Sequence, residues 1–325
     1  MKKQSYILGA LLIALMGVML WRPDVARTEA ADALTLCGKT VIPSLFPFIF
    51  LSGCLAALPG LFSGGRVITW LMERCFQLPS AGSTAMILGA VGGYPMGART
   101  ALELHRQGTL SRLDAKRLVA FCSNAGPGFV FGMVAQSIGV RAAAVVFVAH
   151  LLAAMMVGLL LPGQAEPVPT VSRSAKSLSF SQLMTQSVET MLKICGCILL
   201  FGVLSGYVEL GLSALNVHPL VGAVVAGLLE LTTGISRLPL FADGLPRLYA
   251  AAVFLSFGGL CIYLQTLSLT EDRELLRLYL PGKLLQTILT VLILLSLNQS
   301  PFWLILPLGL CLLRNRAGNP RRSIV

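Results

Sequence analysis

"FCSNAGPGFVFG", residues Phe121 to Gly132, sets Ser123, Asn124, two glycines and a proline inside a strongly apolar run. Such an interruption either ends a helix in water or opens backbone polar groups inside a membrane, and the two outcomes belong to different proteins. Composition separates them. The chain has 325 residues, 55% of them hydrophobic and only 12% charged, with a mean hydropathy of +0.80. That is too little polar material to cover a water-soluble domain, so the sequence reads as an integral membrane protein. The formal charge of +11 comes from short basic clusters between apolar segments, with no basic face or recognition motif, which argues against nucleic acid.

Working outward from that stretch, apolar segments run from Tyr6 to Trp21, Thr40 to Leu58, Leu118 to Ile138, Ala142 to Leu161, Met191 to Tyr207, Tyr249 to Leu267, Leu275 to Leu297 and Phe302 to Leu313. They predict an all-α polytopic protein of about eight spans. The first reads as an uncleaved helix rather than a secretory signal, because it is long for a signal core and more spans follow. Basic residues gather in the loop from His105 to Arg117, in the linker and at both chain ends. The charge bias therefore predicts cytoplasmic termini, with Asn216 to His218 on the opposite side.

Two apolar stretches do not read as ordinary spans. Ser83 to Leu104 is interrupted by "GGYPMG", and Pro219 to Ala242 by "ELTTG" from Glu230. Each predicts a re-entrant hairpin whose tip stops near the membrane middle, where non-helical backbone survives only if protein or a wet cavity satisfies it. Arg66 to Leu78 is amphipathic and basic, as an interfacial segment would be. The Pro/Ser-rich linker from Pro162 divides the chain. The resulting units are 1–35 (first helix and loop), 36–161 (first repeat), 162–182 (linker), 183–298 (second repeat) and 299–325 (last helix and basic tail). Each repeat reads span, hairpin, interrupted span, span. Three crossings per repeat would invert the second copy, the pattern of secondary transporters with a site between repeats. Ser123 to Gly128 is then the unwound middle of a broken helix, matched by Ser256 to Gly259.

"VIPSLFPFIFLS" (Val41 to Ser52), "GGYPMGARTALEL" (Gly92 to Leu104), "AKRLVAFCSNAGPGF" (Ala115 to Phe129) and "LLELTTG" (Leu228 to Gly234) resemble the YlbJ-type sporulation integral membrane proteins, which carry a nucleoside-recognition or Gate domain. The resemblance runs from about Leu36 to Leu297. It implies the bacterial cell membrane of an endospore former, a spore-associated membrane, and movement of dipicolinic acid into the forespore. The order of elements is also similar to the core of concentrative nucleoside transporters, where paired tips and broken helices bind substrate. The two tips here do not carry those transporters' polar and acidic nucleoside ligands.

Half-helices that start near the midplane aim free N–H groups and a positive dipole end at the cavity, which suits an anion. The candidate site is Gly93, Tyr94, Gly97 and Arg99 from the first hairpin, and Ser123, Asn124 and Gly126 from the first break. Glu230, Thr232 and Thr233 come from the second hairpin, and Ser256 and Gly258 from the second break. Arg99 has three readings, a bidentate carboxylate donor, a snorkelling side chain or an ion pair with Glu103. Glu230 has three: a carrier of a coupling proton or acceptor from substrate, a partner of Arg237, or the cap of the helix starting at Thr232 or Thr233. Tyr94 offers a ring for stacking on an aromatic solute.

His105, His150 and His218 lack zinc spacing, the cysteines lack redox or metal spacing, and no nucleotide or nucleophile motif occurs. No metal, cofactor or catalysis is expected. Expected partners are the lipid bilayer, a small dipicolinate-like anion, and a coupling ion or proton. A nucleoside-like solute is one alternative. A scaffold that assembles spore-membrane proteins without passing solute is another.

Overall fold

A computed structural model describes residues 2–56, 58, 65–161, 179–270 and 272–298. The described residues form helices and turns without strands, as the apolar segments predict. The expected span from Phe302 to Leu313, the tail and most of the linker lie outside them. Among the described residues, six stretches are long and apolar enough to cross a membrane: Pro23–Leu55, Arg112–Ile138, Val140–Leu160, Phe180–Ala214, Leu245–Leu267 and Arg273–Asn298.

Helix α1 covers Lys2–Trp21. The loop expected after it is instead α2, Pro23–Leu36, which continues through a π-turn at Cys37–Val41 into α3, Ile42–Ala56. Pro23 opens α2 at a position where its missing N–H costs nothing, and the alanine-rich run beyond contains no breaker before Gly38. The amphipathic segment forms α4, Arg66–Trp70, and a π-turn at Leu71–Phe76, with Val67 and Trp70 exposed and Met72 and Phe76 buried.

Both expected hairpins form. The first is α5, Gly82–Gly92, and α6, Met96–Arg106. The interrupted span follows as α7, Arg112–Cys122, then α8, Pro127–Phe129, a π-turn at Val130–Val134 and α9, Ala135–Ile138. Buried Arg117 donates to the carbonyls of Phe76, Gln77 and Leu161, fixing α7 to the segment before it and to the end of α10, Val140–Leu160. Helix α11, Phe180–Ala214, starts from a capping box of Ser179 and Gln182, so the linker ends before the predicted residue 182. The second hairpin is α12, Pro219–Leu229, and α13, Leu231–Ser236. The second broken helix is α14, Leu245–Phe257, and α15, Gly259–Leu267, and α16 covers Tyr279–Asn298.

Contacts define two ends of the molecule. At one, Arg112 pairs with Asp272, Lys116 with Glu274, and Arg106 donates to the Leu269 carbonyl. At the other, Arg237 pairs with Glu209 at 3.0 Å and Glu29 at 3.6 Å, and Tyr207 donates to the Arg22 carbonyl. Helix α11 connects them. Near its start Gln186 and Thr190 receive Arg99 of the first hairpin, and near its end Glu209 receives Arg237 from just past the second. Thr190 and Glu209 are roughly 28 Å apart along a helix, about one hydrocarbon thickness. The hairpins therefore enter from opposite ends, and their tips meet between.

Candidate functional site

The first hairpin turns at Gly93, whose φ of 76° suits glycine, followed by Tyr94 and Pro95 joined by a cis peptide bond. It lies directly on the first break. A Cβ on Gly89 or Gly97 would stand 1.8 or 2.0 Å from the Cys122 carbonyl oxygen, and one on Gly93 would stand 2.9 Å from Gly126 N. Those glycines are therefore spent on close backbone approach. Gly97, a candidate for binding anions, faces Cys122 and lines neither cavity described below.

The second hairpin turns through a single extended residue, Glu230. Its carboxylate accepts from Thr232 N at 2.8 Å and Thr233 N at 2.5 Å. Of its three readings the structure displays the cap, because these are the first free N–H groups of α13 and the positive end of its dipole. The pairing with Arg237 does not form, since Glu29 and Glu209 take that guanidinium. An internal carboxylate thus takes N–H groups that would otherwise be open to an anion. The second break, at Gly258 with φ 79° and Gly259 with φ 81°, presses on this tip, with a Gly259 Cβ reaching within 3.0 Å of the Leu229 carbonyl. Gly258 faces the Tyr94 ring, 3.3 Å from such a Cβ.

Between the breaks lies a buried polar cluster, of which the sequence reading missed His150, Lys283, Gln286 and Thr290. Lys283 of α16 donates to the Ser123 carbonyl, to Gln286 Oε1 at 2.8 Å and to the Tyr94 hydroxyl at 3.3 Å, and its ammonium sits 5.0 Å from the centre of the Tyr94 ring. Gln286 Nε2 donates to Asn124 Oδ1 at 2.9 Å and to the His150 carbonyl at 3.1 Å. His150 accepts from Ala125 N through Nε2 at 3.2 Å, and its Nδ1 lies 3.0 Å from Ser256 Oγ, which donates to Thr290 Oγ1 at 2.9 Å. Tyr94 donates in turn to the Leu255 carbonyl at 3.1 Å. Candidates Ser123, Asn124 and Ser256 are therefore joined, and α10 and α16 supply the connections. The signal in the sequence was the spacing of Lys283, Gln286 and Thr290, which puts three polar residues on one face of an otherwise apolar helix.

Two spaces with lining residues in common lie beside the cluster. An inner cavity of about 40 Å³ is lined by Tyr94, Gly126, Glu230 and Thr232, together with Gln265 and apolar residues of α3, α11 and α15. It has room for a water or so, and a dicarboxylate ring does not fit without movement of a tip. An outer recess of about 220 Å³ shares Ile194 and Gln265 with it and carries Arg99, Arg106, Glu189 and Lys193. Arg99 donates to Gln186 Oε1 and Thr190 Oγ1, both at 2.8 Å. The alternative pairing with Glu103 is not made, because Glu103 binds Arg106 and Gln107. Thr233 lies at the α13 cap and lines neither space.

No family model and no solved structure matches the chain. It is 27% identical over 233 residues to the sporulation integral membrane protein YlbJ of Bacillus subtilis (strain 168), an alignment covering 62% of this chain and 56% of that protein. The chain thus spans little more than half the length of its curated relative. In that likeness, and in its helices long and apolar enough to cross a membrane, the chain is similar to a sporulation integral membrane protein.

Proposed function

We propose that the protein moves a small anionic, aromatic solute across a spore-associated membrane, with dipicolinate the solute that the family resemblance implies. On this reading it is a transporter or facilitated-diffusion pathway of Gate type, built from two inverted repeats, and catalyses no reaction. The observation that carries the reading is the meeting of two hairpin tips, entering from opposite ends of α11, with two helix breaks around buried polar groups. Irregular backbone at that depth is tolerated where it lines a path or site.

The charge of the outer recess favours an anion. Arg99, Arg106 and Lys193 face it with Glu189 as the single acid, and Arg99 spends its hydrogen bonds on neutral oxygens. A guanidinium so placed keeps its charge available to a carboxylate. The inner cavity is the narrow part of the route, and passage requires Tyr94 or the Glu230 tip to move. Dipicolinate uptake into proteoliposomes is the direct test. The expected result is uptake above that of protein-free liposomes, and folded protein that neither binds nor moves dipicolinate would refute the reading.

A further inference from the structure

Lys283 is 0% exposed and belongs to no ion pair among the described residues. An ammonium has three N–H donors, and this one meets three neutral oxygens: the Ser123 carbonyl, Gln286 Oε1 and the Tyr94 hydroxyl. Their orientation is set by other bonds. Tyr94 gives its own proton to the Leu255 carbonyl, leaving a lone pair for Lys283, and the Gln286 amide nitrogen is held by Asn124 and the His150 carbonyl, leaving its oxygen for Lys283. The ring of Tyr94 at 5.0 Å and that of Tyr279 at 5.9 Å add negative faces. Ser123 directly follows the last residue of α7, so the negative end of that half-helix points at the same place. A main-chain carbonyl at an unwound helix end, an amide oxygen and a hydroxyl are the donor types with which broken membrane helices hold a small monovalent cation.

We propose that the first break contains a monovalent-cation site whose permanent occupant is the protein's own Lys283 ammonium. A tethered cation neutralises the exposed end of α7, and the break requires no free sodium or potassium to keep its shape. The inference deepens the reading of the breaks as part of a transport site, but its test is a stability measurement that needs no solute.

Full-length protein in detergent is unfolded thermally in choline chloride, and again with sodium, potassium, ammonium or methylammonium as the cation. The parent should unfold at the same temperature in all of them. Lys283→Ala, which leaves the oxygens facing an empty space, should unfold about 4 °C or more below the parent in choline. It should regain at least half of that loss in ammonium, methylammonium or sodium. Lys283→Met fills the space without charge, so it should be lowered similarly and regain nothing. A Lys283→Ala midpoint that no small cation raises would overturn the proposal, as would a parent midpoint that rises with sodium. If the alanine variant does not accumulate, the methionine variant decides: a midpoint equal to the parent's would show that the oxygens need no cation. Failure of dipicolinate uptake would sink the transport reading and leave these midpoints as expected.

Discussion

The two hairpin tips solve one electrostatic problem in opposite ways. At the second, Glu230 turns the chain and lays its carboxylate on the N–H groups two and three residues ahead, so the positive end of α13 is met from within the hairpin. At the first, the tip of Gly93, Tyr94 and Pro95 carries no charge, and the negative end of α7 beneath it is met by Lys283 from 160 residues further along the chain. Each unwound end receives the sign that its dipole favours. The charge that meets α13 comes from its own hairpin, whereas the charge that meets α7 comes from α16.

The most severe way to break the comparison is to lift the first hairpin off its break. In Gly97→Ala the new Cβ would stand 2.0 Å from a main-chain oxygen that cannot rotate away. The cost should exceed about 3 kcal/mol, the upper end of ordinary overpacking, and most folded protein should be lost on size-exclusion chromatography. A monodisperse variant with the parent's stability would mean that the hairpin is not seated on Cys122.

Glu230→Gln should be milder. The amide accepts one N–H but turns its own N–H₂ toward the other, a loss of about 1 to 3 kcal/mol and a fall of several degrees in the unfolding midpoint. Because this cap is local, the loss should be the same in choline, sodium and ammonium, unlike that of Lys283→Ala. Recovery in any one cation would erase the distinction between the tips.

Arg99→Lys sharpens the reading of the outer recess. Lysine keeps the charge but cannot reach Gln186 and Thr190 together while presenting a flat edge to a carboxylate. Dipicolinate affinity, measured by calorimetry, should fall about tenfold, with little change in midpoint. Equal affinity would place the solute's carboxylate elsewhere.

The smallest effect belongs to a pair remote from both tips. Arg112 bonds both oxygens of Asp272, at 2.9 and 3.0 Å, and holds that carboxyl below its usual range. A lowered carboxylate value means that the contribution is present above the unfolded value of about 3.9 and is lost as pH falls through the folded one. Asp272→Asn should therefore differ slightly from the parent near neutral pH and converge with it in acid. A gap that widens on acidification would contradict the pairing.

Both hairpins and both breaks were legible because glycine, proline and polar residues interrupt runs that are otherwise apolar, and interruption is a local property. Glu230 was legible as far as its three readings, and its cap uses only neighbours. What stayed hidden depends on distant chain. Arg237 finds Glu29 and Glu209 on α2 and α11, and nothing near Arg237 in sequence announces them. His150 was set aside for want of zinc spacing, yet its partners are Ala125, Ser256 and Gln286. A lysine in "YLPGKLLQTIL" draws no attention until the helical face it shares with Gln286 and Thr290 is plotted. The loop expected after α1 is helical because no glycine or proline breaks the run from Asp24 to Cys37.

Helix α11 has 35 residues and so extends about 52 Å, well beyond a hydrocarbon layer of about 30 Å. Ordinary tilts of up to about 40° cannot absorb that excess, so part of the rod must stand among lipid headgroups or in water. Its first turns contain Gln182, Gln186 and Glu189 and are the better suited to do so. They also form one wall of the recess that holds Arg99. A doubly charged solute would then give up its hydration shell at the depth of the headgroups, where dipoles and counter-ions are still present, before it met any hydrocarbon. Bilayer thickness would become a determinant of access: a thicker membrane would draw the mouth of the recess toward the acyl chains and slow entry without altering a single contact inside the protein.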